Sequence, residues 1–285
     1  MKPQRNIPDW IRTAVPGGET YTNIKRNTQD RNLHTVCIEA KCPNAGECFC
    51  AGQATFLIMG GICTRSCRYC AITHGAPQPL DADEPRRIAL SVQELKLSYA
   101  VITSVTRDDL PDGGASHFAE CVSLIRKNSP SCRIEVLIPD FRKSAANALN
   151  VVLASKPDVV NHNIEAVPRF FTELRPQGDY LFSLNVLHRI AASGLPAKSG
   201  LMIGFGEERR DITATLQDLF SAGCTMLTVG QYLRSSKEGF PVKKYYTPDE
   251  FEEIRCEAEA IGFGKVLSGP LVRSSYHAEK TYAGN

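Results

Sequence analysis

The chain has 285 residues, 42% of them hydrophobic and 22% charged, the balance of an ordinary globular protein long enough to bury one substantial core. Its 33 basic and 31 acidic residues leave a net charge of +2, so bulk electrostatics gives no reason to expect nucleic acid or an anionic membrane as a partner. No apolar run approaches the roughly 20 residues of a bilayer span, and the opening "MKPQRNIPDWIRTAVPGGETY" lacks the apolar centre of a secretory signal, so the expected location is cytoplasmic.

Residues 1–35 are polar, rich in Pro and Asn and weakly periodic, and read as an extension wrapped on a core rather than part of one. From residue 54 a regular alternation begins. Short apolar runs at 55–60, 100–105, 133–139, 158–163, 199–206 and 225–231 predict buried strands. Between them helical spacing and caps predict helices starting at Ser91, reaching Asn128, starting at Ser144, and ending at Gly194 and Gly223. An amphipathic segment at 247–262, with Pro248 in its first turn, predicts a closing helix. Continuous apolar strands alternating with helices specify a parallel sheet covered on both faces. The expected fold is α/β: a partial (β/α)6 barrel over 54–265, an N-terminal extension over 1–53 and a C-terminal tail over 266–285. In such folds chemistry sits at the carboxyl ends of the strands.

The chain carries eleven cysteines, seven of them between residues 37 and 70. In a reducing compartment that density points to metal or redox chemistry rather than disulfides. "GGICTRSCRYC" places Cys63, Cys67 and Cys70 at x3 and x2 spacing just after the first strand, with no fourth cysteine. Thiolates favour zinc or iron–sulfur clusters. Three cysteines leave one iron of a cubane cluster for a small molecule; a zinc knuckle completed by His74 is the alternative. Upstream, "CIEAKCPNAGECFC" sets Cys37, Cys42 and Cys48 at x4 and x5 spacing, a pattern open to zinc, a second cluster or a structural clip. Cys50 is an additional thiol expected to pack in the fold, and Cys121, Cys132, Cys224 and Cys256 are expected to be inert buried thiols.

The x3/x2 spacing, with Tyr69 before the last cysteine, resembles the radical S-adenosylmethionine superfamily. Together with "EAKCPNAGEC", "ITSVTRDDLPDGGA", "NHNIEAVPR", "KSGLMIGFGE" and the terminal "RSSY", it resembles one family within it, the lipoyl synthases, over nearly the whole chain. The resemblance implies a 4Fe–4S cluster on Cys63, Cys67 and Cys70 that cleaves S-adenosylmethionine to a 5′-deoxyadenosyl radical. It implies an auxiliary 4Fe–4S cluster on Cys37, Cys42, Cys48 and Ser275 as the sulfur source, with Arg273 and Tyr276 supporting the serine. Two sulfurs would enter at C6 and C8 of an octanoyl-lysine on a lipoyl-carrier protein, a lipoyl domain or H protein. A ferredoxin- or flavodoxin-type reductant and an iron–sulfur carrier are implied as partners. Phe49 stands where members usually have Trp. Tyr69, Thr103, Arg107, Asp108 and Asn163 are candidate cofactor contacts, with Asn161 and His162 expected beside Asn163 on the cavity wall. A biotin-synthase-like enzyme, a two-cluster electron carrier and a zinc-binding module are the competing readings.

Overall fold

A computed structural model describes residues 8–11, 17–51, 53–144, 146–236 and 238–283; the remaining parts of the extension and the last two residues of the tail lie outside the described residues. Helix α1 (Glu19–Asp30) leads to a two-residue strand β1 (His34–Thr35), and then to two short helices, α2 (Val36–Glu39) and α3 (Ala45–Cys50). Strand β2 (Thr55–Ile58) opens the barrel, and the small parallel pair β3 (Ile62–Cys63) and β4 (Thr73–His74) brackets the second cysteine cluster. The β–α alternation then runs α4 (Glu84–Glu94), β5 (Tyr99–Ser104), α5 (Ala115–Asn128), β6 (Arg133–Leu137), α6 (Ala148–Ala154) and β7 (Val159–Asn161). Helices α7 (Pro168–Leu174) and α8 (Tyr180–Ala192) precede β8 (Ala197–Ile203), followed by α9 (Arg209–Ser221), β9 (Met226–Gln231), α10 (Pro248–Ile261), β10 (Lys265–Gly269) and α11 (Ala278–Ala283).

The main sheet has the order β1-β2-β5-β6-β7-β8-β9-β10, parallel throughout except for β1, which pairs antiparallel with β2. Runs such as Val101-Ile102 and Val159-Val160 are buried on both sides because helices cover the outer face and the barrel interior fills the inner one. Two of the helices start where a side chain satisfies free N–H groups: Thr247 and Glu250 form a reciprocal cap on α10 with Pro248 at its first position, and Asp179 caps α8.

The interior of the barrel is not wholly apolar. Glu135 and Lys198 are both completely buried and pair at 2.8 Å, while Tyr99 Oη donates to the same carboxylate at 2.7 Å and Asn161 Nδ2 at 3.3 Å. A buried pair is tolerated only when its remaining hydrogen-bonding positions are filled, as they are here.

Four features depart from the sequence reading. A seventh parallel strand, β10, runs beside β9, so the sheet crosses residue 265 into the segment read as tail. The helix expected from Ser91 begins at Glu84, whose buried carboxylate meets His117 Nε2 at 2.7 Å. Helix α1 lies in the segment read as weakly periodic, and the short α7 was not anticipated. Cys121, Cys132 and Cys224 are buried as expected, but Cys256 is exposed on α10, and Cys50 is exposed with its thiol directed at the Gly17 carbonyl, 2.9 Å away. Among the described residues no helix is long and apolar enough to cross a membrane.

The sheet does not close on itself, since β10 and the β1–β2 edge are unpaired with each other. The C-terminal segment occupies this side. It crosses β9 at Gly230, where a Cβ would stand 2.1 Å from the Val272 carbonyl oxygen, so only glycine lets the chain pass. Ala278 then packs on Tyr99 and Val101 of β5.

Candidate active site

The loop from Cys63 to Cys70 is tied to three separate parts of the barrel by backbone hydrogen bonds. Thr64 N–H donates to the Thr106 carbonyl at 3.0 Å, Arg68 N–H to Leu174 at 2.9 Å, and Phe240 N–H to Arg68 at 3.0 Å. Cys63 Sγ accepts two backbone N–H groups, from Arg65 at 3.4 Å and Thr106 at 3.3 Å. The Arg65 guanidinium, almost fully buried, makes paired bonds of 2.8–2.9 Å to Asp108 and of 2.8 Å to Asp140. Arg175 also approaches Asp140, its Nη2 3.8 Å from Oδ2 and its Nη1 donating to the Asn163 carbonyl at 3.2 Å.

Burial pushes the Cys70 thiol up to about 12, and the neighbouring Cys67 and Cys63 add to the shift. Cys67 is likewise raised by burial, with the Arg175 charge pulling in the opposite direction. Cys63 and Cys67 therefore stand close enough to Cys70 to oppose its ionisation.

The upstream cysteines converge in the same manner. Cys37 lies on α2, Cys42 follows it with its N–H on the Cys37 carbonyl at 3.1 Å, and Cys48 lies on α3 with its N–H on Asn44 at 2.9 Å. Burial raises Cys37 to about 11, and burial together with Cys37 and Cys42 raises Cys48 to about 12. The C-terminal segment is fastened to these helices by side chains. Asn44 Nδ2 donates to the Leu271 carbonyl at 2.5 Å, and Tyr276 Oη to Glu47 at 2.7 Å. Farther along, Asn163 Nδ2 donates to Ser274 Oγ at 3.2 Å.

One cavity of about 350 Å³ is lined by all three upstream cysteines and by the last cysteine of the loop. Cys37, Cys42 and Cys48 line it together with Ser275, Arg273 and Tyr276, while Cys70 and Tyr69 line it from the other loop. Val101, Leu137, Met202 and Ala278 give it an apolar wall, and Asn163 and Glu165 a polar one. Among the described residues no group of three or more His, Cys, Asp or Glu side chains is arranged for a single metal ion. Cubane clusters spread their ligands more widely than one ion does. Two thiol triads, one with backbone N–H groups aimed at a sulfur, are the soft donor set such clusters require, and they would bind as thiolates.

Several expected contacts lie elsewhere. Thr103 is buried in the wall and donates to the Leu137 carbonyl at 3.0 Å. Arg107 is buried against Asp109 at 2.7 Å, and Asp108 is taken by Arg65. None of the three is among the residues that line the cavity. Asn161 is turned to Glu135, and His162 is fully buried with Nδ1 on the Ile138 carbonyl at 3.0 Å, correcting their placement on the cavity wall. His74 is exposed. Sequence reading missed Arg65, Glu165 and Arg175, although Arg65 sits between two of the cysteines and Glu165 is two residues beyond Asn163.

The model of the radical SAM superfamily matches residues 57–219, and that of the N-terminal domain of lipoyl synthase matches residues 1–42. The chain is 50% identical to the lipoyl synthase of Thioalkalivibrio sulfidiphilus over 281 residues, covering 98% of this chain and 88% of that protein. It is 51% identical to the lipoyl synthase of Hahella chejuensis over 279 residues, covering 97% and 84% respectively. The chain belongs to the lipoyl synthase family. It is accordingly a radical SAM enzyme of the sulfur-inserting type, with S-adenosylmethionine and 4Fe–4S clusters, one of them auxiliary, as cofactors. Among solved structures, the fold is similar to that of the FeFe-hydrogenase maturase HydG from Carboxydothermus hydrogenoformans, with a TM-score of 0.60 at 17% identity over 80% of this chain and 55% of that one. It is also similar to methylornithine synthase, with a TM-score of 0.57 at 13% identity over 74% of this chain and 63% of that one. At these identities the likeness concerns the barrel alone. It agrees with the expected partial barrel.

Proposed function

We propose that the chain inserts two sulfur atoms, at C6 and C8, into an octanoyl group held in amide linkage on a lysine of a lipoyl-carrier protein, a lipoyl domain or H protein. The observation that supports this reading most directly is that Cys37, Cys42, Cys48 and Ser275 line one cavity with an apolar wall, together with Cys70 of the other triad. Cys63, Cys67 and Cys70 are assigned to the radical-generating cluster, and Cys37, Cys42, Cys48 and Ser275 to the auxiliary one. When bound, the clusters and S-adenosylmethionine supply the electron, the hydrogen-abstracting radical and the sulfur that no side chain can provide.

The chain's own residues hold and enclose. Tyr69, on the cysteine loop, and Asn163, at the strand end, are proposed as cofactor contacts. Tyr69 also packs against the apolar cluster of Phe205, Tyr232 and Phe240, which fixes its position on the cavity wall. Val101, Leu137, Met202 and Ala278 offer an acyl chain a surface from which water is excluded, protecting a reactive radical from side reactions. Arg273 and Tyr276 flank Ser275, and the Tyr276–Glu47 bond seats that part of the tail on α3. A hard serine oxygen is a poor match for a sulfide cluster, which suits a cluster meant to be taken apart.

A ferredoxin- or flavodoxin-type protein is proposed as reductant and an iron–sulfur carrier as the source of new clusters, in the cytoplasm. A two-cluster electron carrier would leave the apolar wall and the clamped tail without a role. The test is an anaerobic reaction of the reconstituted enzyme with an octanoylated carrier peptide, S-adenosylmethionine and dithionite, followed by mass spectrometry. Gain of two sulfurs on the octanoyl group is the expected result. Cofactor cleavage with an unchanged peptide mass would refute the assignment.

A further inference from the structure

The cysteine loop that holds Cys63, Cys67 and Cys70 rests on four buried charges, and they are not evenly matched. Arg65 is held by two carboxylates with paired bonds of 2.8–2.9 Å to each, so its charge is well compensated where it sits. Arg175 is 7% exposed and has a carboxylate of this group only at 3.8 Å, the Asp140 Oδ2 that Arg65 also bonds, plus the neutral Asn163 carbonyl at 3.2 Å. Its guanidinium is sandwiched from below by the Phe171 ring, 5.2 Å from the centroid. Asp140 is 2% exposed and shared by both arginines, with the Arg142 N–H on one oxygen at 3.0 Å.

The other groups facing Arg175 are Cys67, Tyr69 and Glu165, all of which interact with it electrostatically. His162, packed nearby, is held neutral by burial and by the Arg175 charge itself, at about 4. Arg175 acts directly on Cys67, against Glu165 and Cys63, while Asp140 stands 3.8 Å from Arg175 and is bonded at 2.8 Å to Arg65 within the cysteine loop.

We propose that Arg175 and Asp140 are positioning residues that tune the reduction potential of the cluster on Cys63, Cys67 and Cys70, Arg175 raising it and Asp140 lowering it. The inference rests on the assignment of a reducible cluster to those three cysteines. Accepting one electron adds one negative charge to the cluster. In a poorly screened interior, a fixed cation nearby favours that reduced form and a fixed anion opposes it. The two residues should then act with opposite sign, which a loss of packing would not produce.

The experiment is a potentiometric titration of the reconstituted enzyme with dithionite and mediator dyes, read by electron paramagnetic resonance. The relevant cluster is the one whose signal changes when S-adenosylmethionine is added. Arg175→Gln is expected to shift its midpoint to more negative potential and to slow cofactor cleavage, Arg175→Lys to stay near the wild type, and Asp140→Asn to shift it to more positive potential. Iron content and the thermal midpoint of each variant show whether it has folded and loaded. Should Arg175→Gln fail to load, the sign of the Asp140→Asn shift still decides. Shifts of the same sign in both variants, a negative shift for Asp140→Asn, or no shift in either would overturn the inference. A wild type with no S-adenosylmethionine-responsive signal would instead overturn the cluster assignment beneath it.

Discussion

The two cysteine sets meet at one cavity, which Cys70 reaches from its loop and Cys37, Cys42 and Cys48 all line, but they are built differently. The Cys63–Cys70 loop is anchored to the barrel by backbone hydrogen bonds to Thr106, Leu174 and Phe240, and beneath it lies a buried arginine locked to two aspartates. The Cys37–Cys48 set sits on two short helices of four and six residues, and the chain end that brings Ser275 to it is fastened there by side chains of Asn44 and Glu47. Glu47 is about half exposed, so its bond to Tyr276 competes with water. The first arrangement suits a cluster that must survive many cycles; the second suits one that is dismantled and replaced. A scaffold's permanence is thus legible in where its polar groups find partners.

The sharpest way to break this comparison is to remove one ligand from each side. Cys67→Ala is expected to abolish both cofactor cleavage and lipoyl formation, while Cys48→Ala and Ser275→Ala should abolish lipoyl formation and leave cleavage in place. Chromatographic assay of 5′-deoxyadenosine beside mass analysis of the peptide checks both. Equal loss of cleavage in all three variants would erase the functional distinction between the sets.

A second contrast concerns what stabilises each part. Lys198→Met strands the buried Glu135 carboxylate in the barrel interior, and its expected cost is about 3–5 kcal/mol, measured as a fall in the urea midpoint. Replacing both partners by apolar residues of similar volume should recover most of that loss. Tyr276→Phe, by contrast, removes one partly exposed bond to Glu47 and is expected to cost about 1 kcal/mol, confined to the tail. Hydrogen exchange would show that loss as faster exchange around residues 271–279 with the barrel unchanged. A global loss from Tyr276→Phe would mean that the tail is part of the core.

Most of the barrel was legible in the sequence because strands buried on both faces leave continuous apolar runs. The last strand left none: four of the five residues of Lys265–Gly269 are only partly buried, so the run that marks the other strands is missing. Helix α1 escaped for a related reason, since only Ile24 and Thr28 among its twelve residues are buried. The cysteines were legible from spacing alone, and the cavity brings Cys37, Cys42, Cys48 and Cys70 together with Ser275, more than 200 positions away. The charged residues at the strand ends were not. A carboxylate or guanidinium there reads the same whether it faces the cavity or a neighbouring loop. Asp108 was expected in the cavity and is paired with Arg65, whereas Arg175 drew no notice because its partner Asp140 belongs to another strand end.

The central claim is that the chain holds two independent clusters, one on each cysteine set. Iron and sulfide analysis of the anaerobically reconstituted protein tests it most directly. Two cubane clusters predict about eight irons per wild-type chain, and about four after either cysteine set is replaced by alanine. Stoichiometric zinc, or the loss of all iron when one set alone is replaced, would contradict it.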